Sequence, residues 1–162
     1  MQTEILSTGS VIYDNVKLGN NVIIGANCII GSIAESKKFI DKPKKDVIIG
    51  DDTVLHGNVT IDSGTVEETK IGKRVWLMKG VHIGHDSDVG DDVVLSPHVC
   101  IGGHVKIGDG TNIGMGAIIH QRVEIPKGCM IGMGTIITKK TKMREGYVYV
   151  GNPARELRKN LR

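Results

Sequence analysis

The sequence predicts an all-β protein, a parallel β-solenoid with three short strands to each coil. Three observations predict it. An aliphatic residue recurs every six positions, at Leu6, Ile12, Leu18, Ile24 and Ile30, then at Ile49, Leu55 and Ile61, then without a break from Ile71 to Ile137. The second position of these twenty hexads is Gly in eleven, and the fifth is always Val, Ser, Thr, Ala or Cys. Aromatic residues make up 3% of the 162 residues and Gly reaches 22, a balance that suits a repeat built from turns and not a globular helical core. A helix would need apolar spacing near 3.6, which a period of six does not supply.

Each element of the repeat has a physical task. Position one fills a narrow core and position five packs a small side chain beside it. Gly at position two lets the chain turn where a Cβ would crowd. A single coil cannot bury its own core, so stacking must supply the stability. Three hexads make one triangular coil, and twenty give nearly seven coils. At ~4.8 Å per stacked strand the prism is roughly 32 Å long.

The repeat is expected over residues 1–141, with a C-terminal unit over 142–162. Two insertions interrupt the register. Residues 36–48 form a basic loop carrying Lys37, Lys38, Lys42, Lys44 and Lys45, and residues 67–70 form a short one. In a common frame both leave from the same corner of the prism. After Thr141, the stretch "GYVYVGNPARELRKNLR" predicts an extended segment and then a short helix, with Asn152 as N-cap and Pro153 as first helical residue. Arg155, Arg158, Lys159 and Arg162 make that helix basic. It would cap the open end of the solenoid or contact phosphates or an acidic carrier protein.

Composition excludes several classes. The formal net charge of +3 comes with no aromatic-basic stripe, which argues against nucleic acid. Three cysteines, Cys28, Cys100 and Cys129, do not make a disulfide framework and fit a reducing cytosol. The start "MQTEILSTGS" lacks the basic and apolar parts of a secretory leader, and no apolar run is long enough to span a membrane. A cytoplasmic location is expected.

The step of three hexads brings chemistry to one edge. It places His85 under Gly103 and Asp86 under His104, with His120 one coil further on the same side and His82 just before that side. Asp62 lies one coil earlier. Imidazole is the common general base near neutral pH. A glycine N–H beside it can hold a developing oxyanion. A base and an oxyanion donor on adjacent coils suit direct acyl transfer to a hydroxyl or amine. No activated Ser or Cys nucleophile is evident, so an acyl-enzyme is not expected.

The hexads resemble those of the hexapeptide-repeat proteins, over residues 6–141. That resemblance implies a left-handed parallel β-helix and a homotrimer. The stretches "TIDSGTVEETKIGKRVWLMKGVHIGHDSDVG", "GGHVKIGD" and "IGMGAIIHQ" are similar to the bacterial acyl-carrier-protein–UDP-N-acetylglucosamine O-acyltransferases. The resemblance implies His85 as general base, Asp86 as its orienting partner and Gly103 as oxyanion donor. It implies that Asp62, Met78, His82, His104, His120, Gln121 and Lys38 contact the sugar nucleotide or the acyl donor. It also implies that Met133, with Met115 stacked beside it, limits the acyl chain to short or medium length. No metal or cofactor is implied, only an acyl-carrier-protein or CoA thioester as co-substrate.

The chain departs from that pattern in places. Asp62 stands where that family has a histidine, the 36–48 loop is shorter, and the resemblance does not include the family's helical C-terminal domain. "GNPAR" is instead similar to the ending of acetyl-CoA-dependent sugar acetyltransferases, which keeps that activity as an alternative. The γ-class carbonic anhydrases share "GYVYVGNPAR"-like and "IGMGAII"-like segments. Their three zinc-ligand positions fall here on Asp62, His98 and Gly103, and glycine offers no side-chain ligand. A non-catalytic scaffold is the remaining alternative.

Overall fold

The computed structural model describes residues 4–5, 9–42 and 44–161, so Leu6 and Arg162 lie outside the described residues. The chain winds as a left-handed parallel β-helix with three faces. Among the described residues face A has nine strands, face B seven and face C six. The chain runs from C to A to B and back to C: Thr69–Ile71, Trp76–Leu77, His82–Ile83 and Asp88–Val89 make one circuit. Strands one coil apart pair in parallel at a step of three hexads, as in Trp76 with Val94 and His82 with Cys100. At the N-terminus Ile5 lies opposite Ile24.

The hexad positions do what their chemistry predicts. Ile24, Leu55, Leu77, Leu95, Ile113 and Ile131 stack fully buried behind face A, and Ile61, Ile83 and Ile101 behind face B. Position five is mostly buried too, and most of its polar members find partners: the Thr53 hydroxyl donates to the Gly72 carbonyl at 2.9 Å, while the buried Thr135 hydroxyl has none. Position-two glycine answers to the neighbouring coil. A Cβ on Gly102 would stand 2.7 Å from the Gln121 nitrogen. The left-handed backbone conformation falls instead at position four, where Asn58, Asp86, His104 and Arg122 have φ between 57° and 62°.

Both insertions leave the B–C corner, as the common frame predicts, but their ends differ from expectation. Val47–Ile49 and Thr69–Ile71 are strands of face C, paired through Val47 with Thr69. The loops therefore cover 33–46 and 63–68. Val47 and Thr69 are small, buried position-five residues and hold the register to the loop edge. The predicted C-terminal helix is not formed. Arg155–Lys159 is a strand, antiparallel to Tyr147–Val150, which pairs with Met130–Ile131. A helix this short is not stable alone, and it would leave the edge of Tyr147–Val150 unpaired. Asn152 and Pro153 make the turn between these strands. Arg144 forms a double hydrogen bond with Glu156 across the hairpin base, and the Arg144 N–H donates to the Tyr149 hydroxyl at 2.7 Å.

The outer surfaces of the three faces differ. Face C presents Lys17, Lys70, Asp88, Lys106 and Glu124. Faces A and B present mainly uncharged residues, among them the exposed Val11, Ile29, Trp76 and Ile118. No helix among the described residues is long and apolar enough to cross a membrane. The three cysteines are free.

Candidate active site

Three ladders meet at the B–C corner. Asp62, Gly84, Gly102 and His120 occupy position two of successive coils, His85, Gly103 and Gln121 position three, and Asp86, His104 and Arg122 position four. Backbone bonds hold the coils in step: His104 N–H donates to the His85 carbonyl at 2.8 Å and Arg122 N–H to the Gly103 carbonyl at 2.9 Å.

His85 and Asp86 form the centre. His85 Nδ1 lies 2.6 Å from Asp86 Oδ2. The short 63–68 loop wraps the same carboxylate. The N–H groups of Thr65, Val66 and Glu67 donate to Oδ1 at 3.0, 2.7 and 2.6 Å, and the Thr65 hydroxyl donates to Oδ2 at 2.6 Å. Successive N–H groups converging on one anion are a nest. Burial works against the Asp86 charge, but the bonds from Thr65, His85, Val66 and Glu67 outweigh it and hold the carboxyl well below the usual carboxylate range. An ionised Asp86 accepts from Nδ1–H, which leaves the Nε2 lone pair free as the base.

Nε2 faces Gly103. A Cβ built on Gly103 would stand 2.7 Å from it. The Gly103 N–H has no acceptor among the described residues, so it can serve an incoming oxygen. His104 lies edge-on to His85, ring centroids 4.9 Å apart, with its Nε2 3.7 Å from Asp86 Oδ2. Burial lowers the His104 pKa, Arg122 and His85 add to this, and Asp86 opposes it. Phe39, from the basic loop, places its ring centroid 6.2 Å from that of His85.

A cavity of about 300 Å³ opens on this centre, lined by Ser36, Lys38, Phe39, Val66, His85, His104, Gln121 and Arg122. His82 points out from face B and its Nδ1 lies 2.9 Å from the Thr60 hydroxyl. His120 is exposed, with Nδ1 2.9 Å from the Gln121 carbonyl. Asp62 is buried and accepts from the Ser32 hydroxyl at 3.2 Å. Burial pushes its carboxyl up, Glu35 adds to this, and His82, Ser32 and His85 oppose it. Met78, Met115 and Met133 are not beside the histidines in one chain. They stand at the A–B corner, where Met115 and Met133 are 50% and 77% exposed. His98 stands at that corner as well, beside Gly80, so Asp62, His98 and Gly103 do not converge within one chain. His85, Asp86 and His104 do bring three potential ligand atoms within 4.8 Å of one another.

Phe39, Arg122 and the Thr65–Glu67 nest were not legible as site residues from the repeat. The loops lie outside its register. For Arg122 a signal existed: it stands one coil beyond His104 and two beyond Asp86 on the same ladder.

A coil of hexads with a His–Asp pair at one corner defines the class. Family models for the bacterial transferase hexapeptide (six repeats) and the hexapeptide repeat of succinyl-transferase match residues 68–103, and 15–34 with 104–139, together more than half of the chain. The chain belongs to this hexapeptide-repeat family. It is 38% identical over 95 residues to the acyl-[acyl-carrier-protein]–UDP-N-acetylglucosamine O-acyltransferase of Saccharophagus degradans, a match covering 53% of this chain and 36% of that protein. It is 31% identical over 86 residues to UDP-3-O-acylglucosamine N-acyltransferase 1 of Gloeobacter violaceus, covering 49% and 25%. Among solved structures, the UDP-N-acetylglucosamine acyltransferase of Bacteroides fragilis superimposes with a TM-score of 0.90 at 25% identity, over 96% of this chain and 60% of that one. The matches span about a third or less of these curated relatives and under two thirds of that structure.

Proposed function

We propose that this chain is an acyltransferase that moves an acyl group from a thioester to a hydroxyl or amine of a nucleotide-linked amino sugar such as UDP-N-acetylglucosamine. The observation that carries this reading is the His85–Asp86 pair, with Nε2 of His85 beside Gly103, whose N–H has no acceptor among the described residues.

The nest around Asp86 keeps it ionised and fixes the His85 ring. His85 Nε2 takes the proton of the acceptor O–H or N–H as that atom bonds to the thioester carbonyl carbon. The carbonyl electrons move onto oxygen, and the Gly103 N–H holds the oxyanion. Collapse breaks the C–S bond, and the leaving thiolate takes the proton from His85. The step consumes no cofactor. The donor is an acyl carrier protein or CoA thioester. Asp62, His82, His104, His120, Gln121 and Lys38 line the acceptor and donor paths around this centre.

The working unit is a homotrimer, with the site between neighbouring subunits. The charged surface of face C and the uncharged surfaces of faces A and B support this, since apolar side chains gain most from being covered. The A–B corner of one subunit would bring Met78, Met115 and Met133 to the histidine corner of the next, where Met133 would set acyl length.

Thiol release tests the reading. The intact protein is given acyl carrier protein thioesters or acetyl-CoA, with UDP-N-acetylglucosamine and related amino sugars. Release that needs the acceptor and disappears in His85→Ala supports the assignment and names the donor. Equal release by both proteins removes His85 from the role of base.

A further inference from the structure

Arg122 stands on the position-four ladder, one coil beyond His104 and two beyond Asp86, with φ 62°. A left-handed corner favours Gly, Asn or Asp, and a long side chain there costs roughly 1 kcal/mol. Of the other exposed arginines, Arg74 binds Asp92 at 2.7 Å through two nitrogens and Arg144 pairs with Glu156, whereas Arg155 and Arg158, on the C-terminal strand away from the His85 corner, pair with no carboxylate among the described residues. Arg122 pairs with no carboxylate among the described residues, and neither does Lys38.

These two cations line the same cavity as His85. The other lining residues are Ser36, Phe39, Val66, His104 and Gln121, and none is acidic. Asp86 is buried behind the two histidines with its charge met by His85 and the loop N–H groups, and Glu67 and Glu124 line the neighbouring cavity that Arg122 also borders. On the His85 side the two unpaired cations, a hydroxyl and an amide set the field and favour anions. An arginine fork matches two oxygens of a phosphate, and a lysine adds a point charge.

We propose that Arg122 and Lys38 form an anion site that takes a phosphate group of a phosphorylated substrate and seats it beside the His85 base. The phosphate has two chemical sources, the diphosphate of a sugar nucleotide or the phosphate of a phosphopantetheine-bearing donor. This deepens the acyltransferase reading and rests on it for the identity of those substrates.

The test is equilibrium binding to the full chain, read without turnover. The probes are UDP-N-acetylglucosamine, UDP and CoA, with N-acetylglucosamine and pantetheine as phosphate-free controls. Arg122→Gln and Lys38→Gln are compared with the wild type at two salt concentrations. Arg122→Gly, which suits the left-handed corner, separates loss of the guanidinium from loss of fold. We expect about a tenfold or greater loss of affinity for one phosphorylated probe in all three variants, with a shallower salt dependence. The controls should be unmoved. Loss confined to the uridine probes assigns the phosphate to the acceptor, and loss confined to CoA assigns it to the donor. Unchanged affinity for every phosphorylated probe, or none in the wild type, overturns the proposal. Arg122-dependent binding in a protein that shows no His85-dependent thiol release would sink the acyltransferase reading and leave the anion site standing.

Discussion

Nε2 of His85 would lie 2.7 Å from a Cβ on Gly103, so along its side-chain direction Gly103 has room for a hydrogen and for nothing larger. The imidazole can swing away from an added methyl, but it must then loosen its 2.6 Å bond to Asp86. Gly103→Ala should therefore fold with a near-native melting temperature and lose His85-dependent thiol release by about a hundredfold or more. Circular dichroism and release assays on the same sample check this. Undiminished turnover would show that the Gly103 edge is not where the carbonyl sits.

Asp86 ties the 63–68 loop to the His85 corner. In Asp86→Asn the amide cannot replace a carboxylate that accepts from Nδ1 and four loop donors, and turnover should fall by about 10³–10⁴-fold. Asp86→Ala would leave the N–H groups of Thr65, Val66 and Glu67 without their acceptor, at a cost of about 2–4 kcal/mol in denaturant unfolding. The folded pKa of Asp86 is depressed. The stability it contributes is therefore complete above the ordinary Asp value of about 3.9 and is lost as pH falls below that toward the folded value. Asp86→Ala should flatten this acid limb.

His104 should titrate below the ordinary histidine value of about 6.5, because burial and Arg122 both disfavour its cation. A base with a depressed folded pKa favours folding most above its unfolded value and costs stability as pH drops through the interval below it. NMR titration of the ring protons reads the pKa, and Arg122→Gln should move it upward. A downward move or none would remove Arg122 from the electrostatics of the site.

Met133 tests the acyl-length reading. The wild type should prefer short or medium donors, and Met133→Gly should shift the optimum toward longer chains without altering the His85 dependence. An unchanged chain-length profile would place the acyl tail elsewhere.

Leu95→Ala removes a fully buried rung of the face A core, between Leu77 and Ile113. A loss of about 2–5 kcal/mol is expected in chemical unfolding. Hydrogen exchange should rise first in the coils that Leu95 joins, because a solenoid is held by nearest-neighbour stacking.

The ladder that aligns His85 with Gly103 and Asp86 with His104 was readable because the hexad repeat is local and strictly periodic. Asp62, His82 and His120 followed from the same arithmetic. The Asp86 nest was not readable, since its donors are backbone N–H groups of a loop with no repeat register. The C-terminal segment misled for a related reason. Asn152 and Pro153 are good helix-start residues, but the open edge of Tyr147–Val150 offered Arg155–Lys159 a strand partner that local preference cannot anticipate.

By itself, then, the sequence determined the coil, its core and which side chains share a corner, because each position-one aliphatic residue has a single way to be buried and three hexads close one turn. The tertiary structure decided what surrounds that corner. It folded the 63–68 loop onto Asp86, brought Lys38, Phe39 and Arg122 to one cavity, and turned the tail back as a strand. Those outcomes depend on contacts between parts of the chain that no shared period connects.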